Sequence, residues 1–193
     1  MRNQKIKRMA GIALLMALVA VMQFLGGMIP PVGGFSISLV LIPIVLGAAV
    51  YGPGAGMLLG GTFGAIVYMN CITGADIGGA MVFQANPVLC FLVVMGKGIL
   101  AGLASGWVYR LVKGWDGYVA MLAAAVVCPL VNTGVFILCM FTFFWDVLAA
   151  WAGGSNVMGY VLTGLVLANF VPELIINVLF SPFGQTIFRV TKK

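Results

Sequence analysis

The first apolar segment of the chain, residues 9–29, reads MAGIALLMALVAVMQFLGGMI and contains no charged side chain. About 20 apolar residues in a helix span the hydrocarbon core of a bilayer, whereas the apolar part of a secretory signal peptide has roughly 7–15. Glycine and proline follow the segment instead of a small-residue cleavage site. We therefore predict that this segment is a retained transmembrane helix.

The rest of the chain has the same apolar character. Its 193 residues are 63% hydrophobic and 7% charged, and histidine is absent. The mean hydropathy of +1.17 is far above that of a soluble globular domain. At about 30 residues per crossing, the length accommodates about six crossings and leaves no room for a soluble module. Nucleotide hydrolysis, DNA binding and a secreted disulfide scaffold are therefore excluded for this chain.

Turn-forming residues divide the remaining sequence into five further apolar segments. The predicted fold is all-α, a polytopic membrane protein whose residues 1–193 form one domain with six transmembrane helices. The predicted spans cover about 9–29, 36–50, 54–71, 84–111, 118–144 and 157–188. The connection at 72–83 is glycine-rich and is the first one long enough to fold over a bound molecule. The connection at 145–156 is rich in aromatic residues and glycine.

The basic residues determine the predicted orientation, because lysine and arginine in short loops are retained in the cytoplasm during insertion. With both termini cytoplasmic, nine of the ten basic residues lie on that side: Arg2, Lys5, Lys7, Arg8, Arg110, Lys113, Arg189, Lys192 and Lys193. The predicted outer loops contain none. The net charge of +6 therefore belongs to the membrane edge, and we expect no nucleic-acid partner.

Two ionisable side chains, Lys97 and Glu173, lie deep inside apolar segments. Each would cost about 2.5–3.5 kcal/mol at the bilayer centre, so each should face the protein interior or water. One interpretation is a structural ion pair between them. The other is that at least one of them contacts a bound solute, since burying an ion pair is seldom stabilising.

Helical spacing adds amide and aromatic side chains at a similar depth. Asn169 lies one helical turn before Glu173, and Asn132 lies one turn before Phe136. Such faces supply either hydrogen bonds between helices or the wall of a pocket. The candidate substrate-binding residues are Asn132, Lys97, Glu173, Asn169, Asn86, Gln84, Phe136 and Trp145.

Two prolines favour the pocket, because one lies three residues before a candidate residue and the other lies directly before one. Pro129 precedes Asn132, and Pro172 precedes Glu173. Each proline leaves a helix carbonyl without its usual donor, and such backbone persists at membrane depth only where protein or water satisfies it. The sequence therefore favours a water-containing cavity beside these side chains.

Catalysis and metal binding have no support in the sequence. The four cysteines are scattered without Cys-x-x-Cys spacing, and no histidine is available to complete a zinc site. The four acidic residues do not converge on one segment. We expect no enzyme activity, cofactor or metal. A stand-alone channel or small-solute carrier stays open, as does a structural membrane protein whose buried charges only pair with each other.

Small residues four apart occur in three of the predicted spans, where they would let helix backbones approach closely. They are Ala13 and Ala17 in the first, Gly56, Gly60 and Gly64 in the third, and Gly98, Gly102 and Gly106 in the fourth. Such seams pack helices within one chain more often than they bind a partner.

Several stretches together resemble one membrane-protein family. They are Ala13-x-x-x-Ala17, ISLVLIPIVLGA at 37–48, YGP at 51–53, KGILAG at 97–102 and CPLVNTG at 128–134. These stretches resemble the substrate-binding S components of energy-coupling-factor (ECF) vitamin transporters, and the likeness covers nearly the whole chain.

The resemblance implies a six-helix protein in a bacterial cell membrane that binds one vitamin molecule near its outer face. The pocket would be built chiefly by spans four to six and closed by the loops after spans one and three. The implied partners are a membrane scaffold subunit and two cytoplasmic ATPases, in agreement with the absence of a phosphate-binding GxxxxGK[ST] loop. Ala13 and Ala17 match the docking motif of the family.

The choice of vitamin depends mainly on Lys97, the one cation expected inside. It favours a ligand with a carboxylate, held by a charge-assisted hydrogen bond. Amide side chains suit hydroxyl or amide groups, so pantothenate, or a similar small acid, fits best. Riboflavin, folate, a pyridoxine-like compound and cobalamin stay open as alternatives. A neutral ligand is preferred if Glu173 neutralises Lys97.

Overall fold

A computed structural model describes residues 2–27 and 39–191, and within these ranges it contains helices and no strand. The helices are α1 Arg2–Gly27, α2 Leu41–Tyr51, α3 Pro53–Thr73, α4 Ile77–Ala85, α5 Pro87–Val112, α6 Gly117–Phe143, α7 Trp145–Trp151, α8 Val157–Tyr160, the π-helix Val161–Phe170 and α9 Val171–Thr191. The segment from α8 through the π-helix to α9 has no break. The chain is an all-α polytopic membrane protein.

Within the described ranges, five helical segments are long and apolar enough to cross a membrane: Gln4–Gly26, Pro53–Thr73, Pro87–Val112, Gly117–Phe143 and Val157–Gly184. They correspond to five of the six predicted spans. The helix α2 corresponds to the predicted second span, but its 11 residues extend only about 16 Å. The start of that span and the connection at 30–35 between the first two predicted spans lie outside the described residues.

Both connections that the sequence predicted as loops contain a short helix. The helix α4 begins where Asp76 accepts a hydrogen bond through Oδ1 from the Gly79 backbone N–H, at 3.0 Å. Aspartate is a strong N-cap, and it overcomes the low helix propensity of Gly78 and Gly79. The helix α7 begins directly after α6 and carries Trp145 and Trp151 at its two ends.

The glycine seams of the third and fourth spans pack against each other inside the chain. A Cβ atom added at Gly56 would overlap with the carbonyl oxygen of Gly102, and one added at Gly60 would overlap with that of Gly98. Backbone contact of this kind is possible only without side chains at these positions. The seam between α3 and α5 is therefore an internal packing surface.

The helix α1 is the least embedded of the membrane-spanning helices. Of its most apolar stretch 11% is buried inside the chain, whereas the other four have 28–44% buried. Near its N-terminal end the Arg8 guanidinium donates to the Tyr51 carbonyl oxygen at 3.0 Å. Ala13 and Ala17 both lie on the exposed face of α1.

Candidate ligand-binding cavity

A cavity of about 270 Å³ lies among α3, α5, α6 and the π-helix with α9, toward the ends of these helices that the sequence predicts to face outward. The turn before α4, the start of α4 and the last residue of α7 border it on that side. Residues Gln23 and Phe24 of α1 complete the wall. The cavity therefore draws on α1 and α3 as well as on the spans that the resemblance emphasised.

Five of the eight candidate residues share this cavity wall: Lys97, Asn132, Phe136, Asn169 and Glu173. They come from four different elements, α5, α6, the π-helix and α9. The sequence therefore identified side chains that the fold brings together, and their binding role stays a prediction.

The other three candidates lie outside the wall. Asn86 is the N-cap of α5, where its Oδ1 accepts from the Leu89 N–H at 3.0 Å. Gln84 is exposed near the end of α4. Trp145 is 51% exposed, and its ring lies 5.8 Å from that of Phe141. Their predicted contact with a ligand gains no support from these positions.

The Lys97 ammonium lies between aromatic rings of two neighbouring helices. Its Nζ is 4.7 Å from the ring centre of Phe136 on α6 and 5.7 Å from that of Phe63 on α3. Ring faces attract a cation by about 0.5–2 kcal/mol when water is excluded. Because an ammonium has three N–H donors, these contacts still allow Lys97 to donate to a guest in the cavity.

Two neighbouring polar side chains of α6 are buried on the cavity wall. Asn132 and Thr133 are only 4% and 5% exposed, and both line the cavity. Among the described residues, Asn132 Oδ1 and Thr133 Oγ1 have no hydrogen-bond partner. A buried polar atom left in this way costs about 1–3 kcal/mol. A ligand with matching donors would remove that cost.

The backbone before Glu173 departs from regular α-helix. Residues Val161–Phe170 form a π-helix, and the Val171 N–H donates to the Val166 carbonyl, five residues earlier. Pro172 has no N–H to continue an α-helical pattern. Short π-helical segments often occur at functional sites, and this one carries Asn169 into the cavity wall just before the buried Glu173.

Several wall residues were not among the sequence candidates. The polar ones are Gln23, Asn70, Asp76 and Thr133. Thr133 could have been found, because it adjoins Asn132 in the CPLVNTG stretch. Asp76 was assigned to a loop, since the glycines beside it hid the helix α4. Gln23 and Asn70 carry no charge and stand alone in apolar spans, so no sequence pattern marked them as wall residues.

Trp151 closes the cavity on the predicted outer side. Its ring stacks near Phe136, with centroids 6.4 Å apart and planes inclined by 26°. A Cβ atom added at Gly78 of α4 would be 3.4 Å from the Trp151 ring. Trp151 therefore occupies the place where α4 and α7 meet above the cavity.

Among the residues that the structure describes, the charged side chains on the wall are two acids, Asp76 and Glu173, and one base, Lys97. Cys71 and Cys90 also line it as free thiols. In residues 2–27 and 39–191, no three side chains of metal-binding type come together. The arrangement suits an organic solute of mixed polarity, with aromatic surface on one part and hydrogen-bonding groups on the other.

Comparison with protein families agrees with this architecture. A family model described as the substrate-specific component of ECF transporters matches residues 7–183, nearly the whole chain. No individual curated protein matches the sequence. The matched range includes all five candidate residues that share the cavity. The chain therefore belongs to the family of ECF transporter substrate-specific components.

Proposed function

We propose that this chain is the vitamin-binding subunit of an ATP-driven ECF importer in a bacterial cell membrane. The vitamin occupies the cavity between α3, α5, α6 and α9. The observation that carries the proposal is the pair of buried, unpartnered atoms Asn132 Oδ1 and Thr133 Oγ1 within the described part of the chain. Membership of the family supports the transport role, and these two atoms support the cavity as the place where the solute binds.

The proposed ligand is pantothenate or a similar small vitamin with one carboxylate. Lys97 supports this choice because its N–H donors reach the cavity while its ring contacts hold it there. A volume of about 270 Å³ lies just below the roughly 300–1,000 Å³ of typical drug-sized pockets, which favours a small vitamin. Cobalamin is several times larger and fits poorly. Riboflavin and a pyridoxine-like compound are the uncharged alternatives.

The proposed partners are a membrane scaffold subunit and two cytoplasmic ATPases. The chain has no phosphate-binding loop of its own. The slight burial of α1 and the exposure of Ala13 and Ala17 support docking of the scaffold on this helix. Small side chains at four-residue spacing allow a partner helix to approach the α1 backbone closely.

The experiment is a titration of the purified chain in lipid nanodiscs with pantothenate, riboflavin, folate, pyridoxine and cobalamin. We expect one of them, pantothenate first, to bind at one molecule per chain. Asn132→Ala should weaken that binding. Leu138→Ala is the matched control on the same helix, because Leu138 is 66% exposed. Failure of all five to bind, or solute flux through the chain alone in liposomes, would contradict the proposal.

A further inference from the structure

Asp76 lies on the cavity wall and also begins the helix α4. Its Oδ1 accepts from the Gly79 N–H, and its own backbone N–H donates to the Asn70 carbonyl at 3.3 Å. The backbone of Asp76 is thereby tied to the end of α3, and its carboxylate is held at a fixed position on the wall.

The carboxylate of Asp76 has capacity beyond the helix cap. An ionised carboxylate accepts at about four lone-pair sites on two oxygens, and the cap uses Oδ1. A ligand hydroxyl or amide N–H that reached Oδ2 would form a charge-assisted hydrogen bond. Such bonds are roughly twice as strong as those between neutral groups.

Asp76 and Lys97 lie beside different parts of the helix α3. Asp76 is tied to Asn70, whereas Lys97 contacts Phe63, which lies seven residues earlier on α3. Seven residues of α-helix correspond to about 10 Å. The cavity therefore has an acceptor near its predicted outer end and a cationic donor at its inner end.

The wall charges limit the ligand as well. Two carboxylates and one ammonium disfavour a guest with two negative charges, such as folate with its two carboxylates. Of these three wall charges only Lys97 attracts a carboxylate on the guest, whereas Asp76 at the outer end and Glu173 both repel it. A guest with one acidic end therefore enters this field in one orientation.

We propose that Asp76 is a specificity-determining residue of the cavity. It accepts hydrogen bonds from the hydroxyl or amide donors at the outer end of an elongated monocarboxylic acid, whose carboxylate binds Lys97. This inference rests on the proposed function and adds the orientation and the donor-bearing end of the ligand. Asn132 Oδ1 and Thr133 Oγ1, which have no hydrogen-bond partner among the described residues, bind the middle of the same molecule.

A purely structural role as a helix cap is the competing explanation, and Asp76→Asn separates the two. Asparagine caps a helix about as well as aspartate, so the cap is kept and the negative charge is lost. Asp116 provides the matched control, because it caps α6 through the N–H groups of Tyr118 and Val119 and lies outside the cavity wall. The thermal unfolding of Asp76→Asn and of the control Asp116→Asn should resemble that of the unmodified chain.

The experiment measures the affinity for pantothenate and for panthenol, which carries an alcohol in place of the carboxylate. We expect Asp76→Asn to lower the affinity for both ligands about ten- to a hundredfold, because both retain the donor-bearing end. Lys97→Met should lower the affinity for pantothenate and leave the affinity for panthenol nearly unchanged. Asp116→Asn should change neither.

Three results would overturn the inference, and they differ in which part of the proposed function they leave intact. Equal affinities of Asp76→Asn and the unmodified chain would reduce Asp76 to a helix cap while the proposed function holds. Binding of riboflavin instead of both ligands would overturn the monocarboxylate and the orientation but keep the vitamin-binding role. Absence of any vitamin binding to the unmodified chain would overturn the proposed function itself.

Discussion

The Lys97 ammonium lies 4.7 Å from the ring centre of Phe136, so a cation on α5 faces an aromatic ring on α6 inside the membrane domain. A buried charge needs compensation, and the ring supplies part of it without using the N–H donors. The pair also couples two helices at the inner end of the cavity. We therefore expect Lys97 to keep its N–H donors available for a ligand.

Replacing the ring of Phe136 tests this coupling. Phe136→Leu keeps the apolar volume and removes the attraction of the ring for the Lys97 ammonium, which is worth about 0.5–2 kcal/mol. We expect the affinity for the bound vitamin to fall by roughly two- to thirtyfold. Isothermal titration in nanodiscs measures it. Phe143→Leu, at a position 55% exposed on the same helix, should leave the affinity unchanged. An equal effect of both variants would contradict a specific role for the ring.

The two tryptophans of α7 give a direct comparison between sequence and structure. The sequence pointed to Trp145, but the structure places Trp151 on the cavity wall beside Phe136. We expect Trp151→Ala to speed dissociation of the ligand at least several-fold, because the outer cover of the cavity is removed. Stopped-flow release into excess unlabelled vitamin measures the rate. If Trp145→Ala had the larger effect, the assignment of the cover would be reversed.

The glycine seam between α3 and α5 predicts an effect on stability. A Cβ atom at Gly60 would overlap with the Gly98 carbonyl, whereas one at Gly96 meets no atom of the described structure within 4 Å. Gly60→Ala should therefore destabilise the protein by about 1–3 kcal/mol through overpacking. Gly96→Ala should be neutral or slightly stabilising, because alanine is the better helix former. Thermal unfolding in detergent compares them, and similar melting temperatures would contradict the packing of this seam.

Docking on α1 predicts a separation of assembly from binding. Ala17 is exposed, and Ala17→Trp would block the close approach of a partner helix without entering the cavity. We expect loss of co-purification with the scaffold subunit and unchanged vitamin affinity. Leu167→Trp, at a position 60% exposed on the π-helix, is the control that should retain both. Loss of vitamin binding in Ala17→Trp would place this face of α1 in the core of the protein.

The membrane fold could be predicted from sequence because the bilayer imposes a simple rule. A helix that crosses it needs about 20 apolar residues, and residues 9–29 meet that requirement. Lys97 and Glu173 could be assigned to the interior for the same reason, since lipid excludes charge. These constraints act on each segment separately, so no knowledge of tertiary packing was needed.

Which other residues line the site depends on where each helix begins and on its orientation about its own axis. Asn86 was a candidate substrate-binding residue, but the helix starts at Pro87 and Asn86 serves as its cap. Asp76 was hidden because a single side-chain cap creates α4 from a glycine-rich segment. Such local hydrogen bonds leave no periodic signal, and the contribution of α3 to the wall follows only from its packing on α5.

The buried polar residues Asn132 and Ser105 differ in their hydrogen bonding, and we expect their replacement to have different effects. Ser105 Oγ donates to the Ala124 carbonyl at 3.1 Å, so Ser105→Ala should cost about 0.5–1.5 kcal/mol of stability and spare binding. Asn132 Oδ1 has no such bond within the residues described. Asn132→Ala should therefore leave the stability of the ligand-free protein unchanged and lower the affinity for the ligand about tenfold or more.

The most direct test is native mass spectrometry of the protein purified from cells that supply its vitamin. The cavity with Lys97, Asn132 and Glu173 on its wall should hold one small molecule per chain, and that molecule should be largely lost from Asn132→Ala. A ligand-free chain that also binds none of the five vitamins, or equal retention in the variant, would contradict the account.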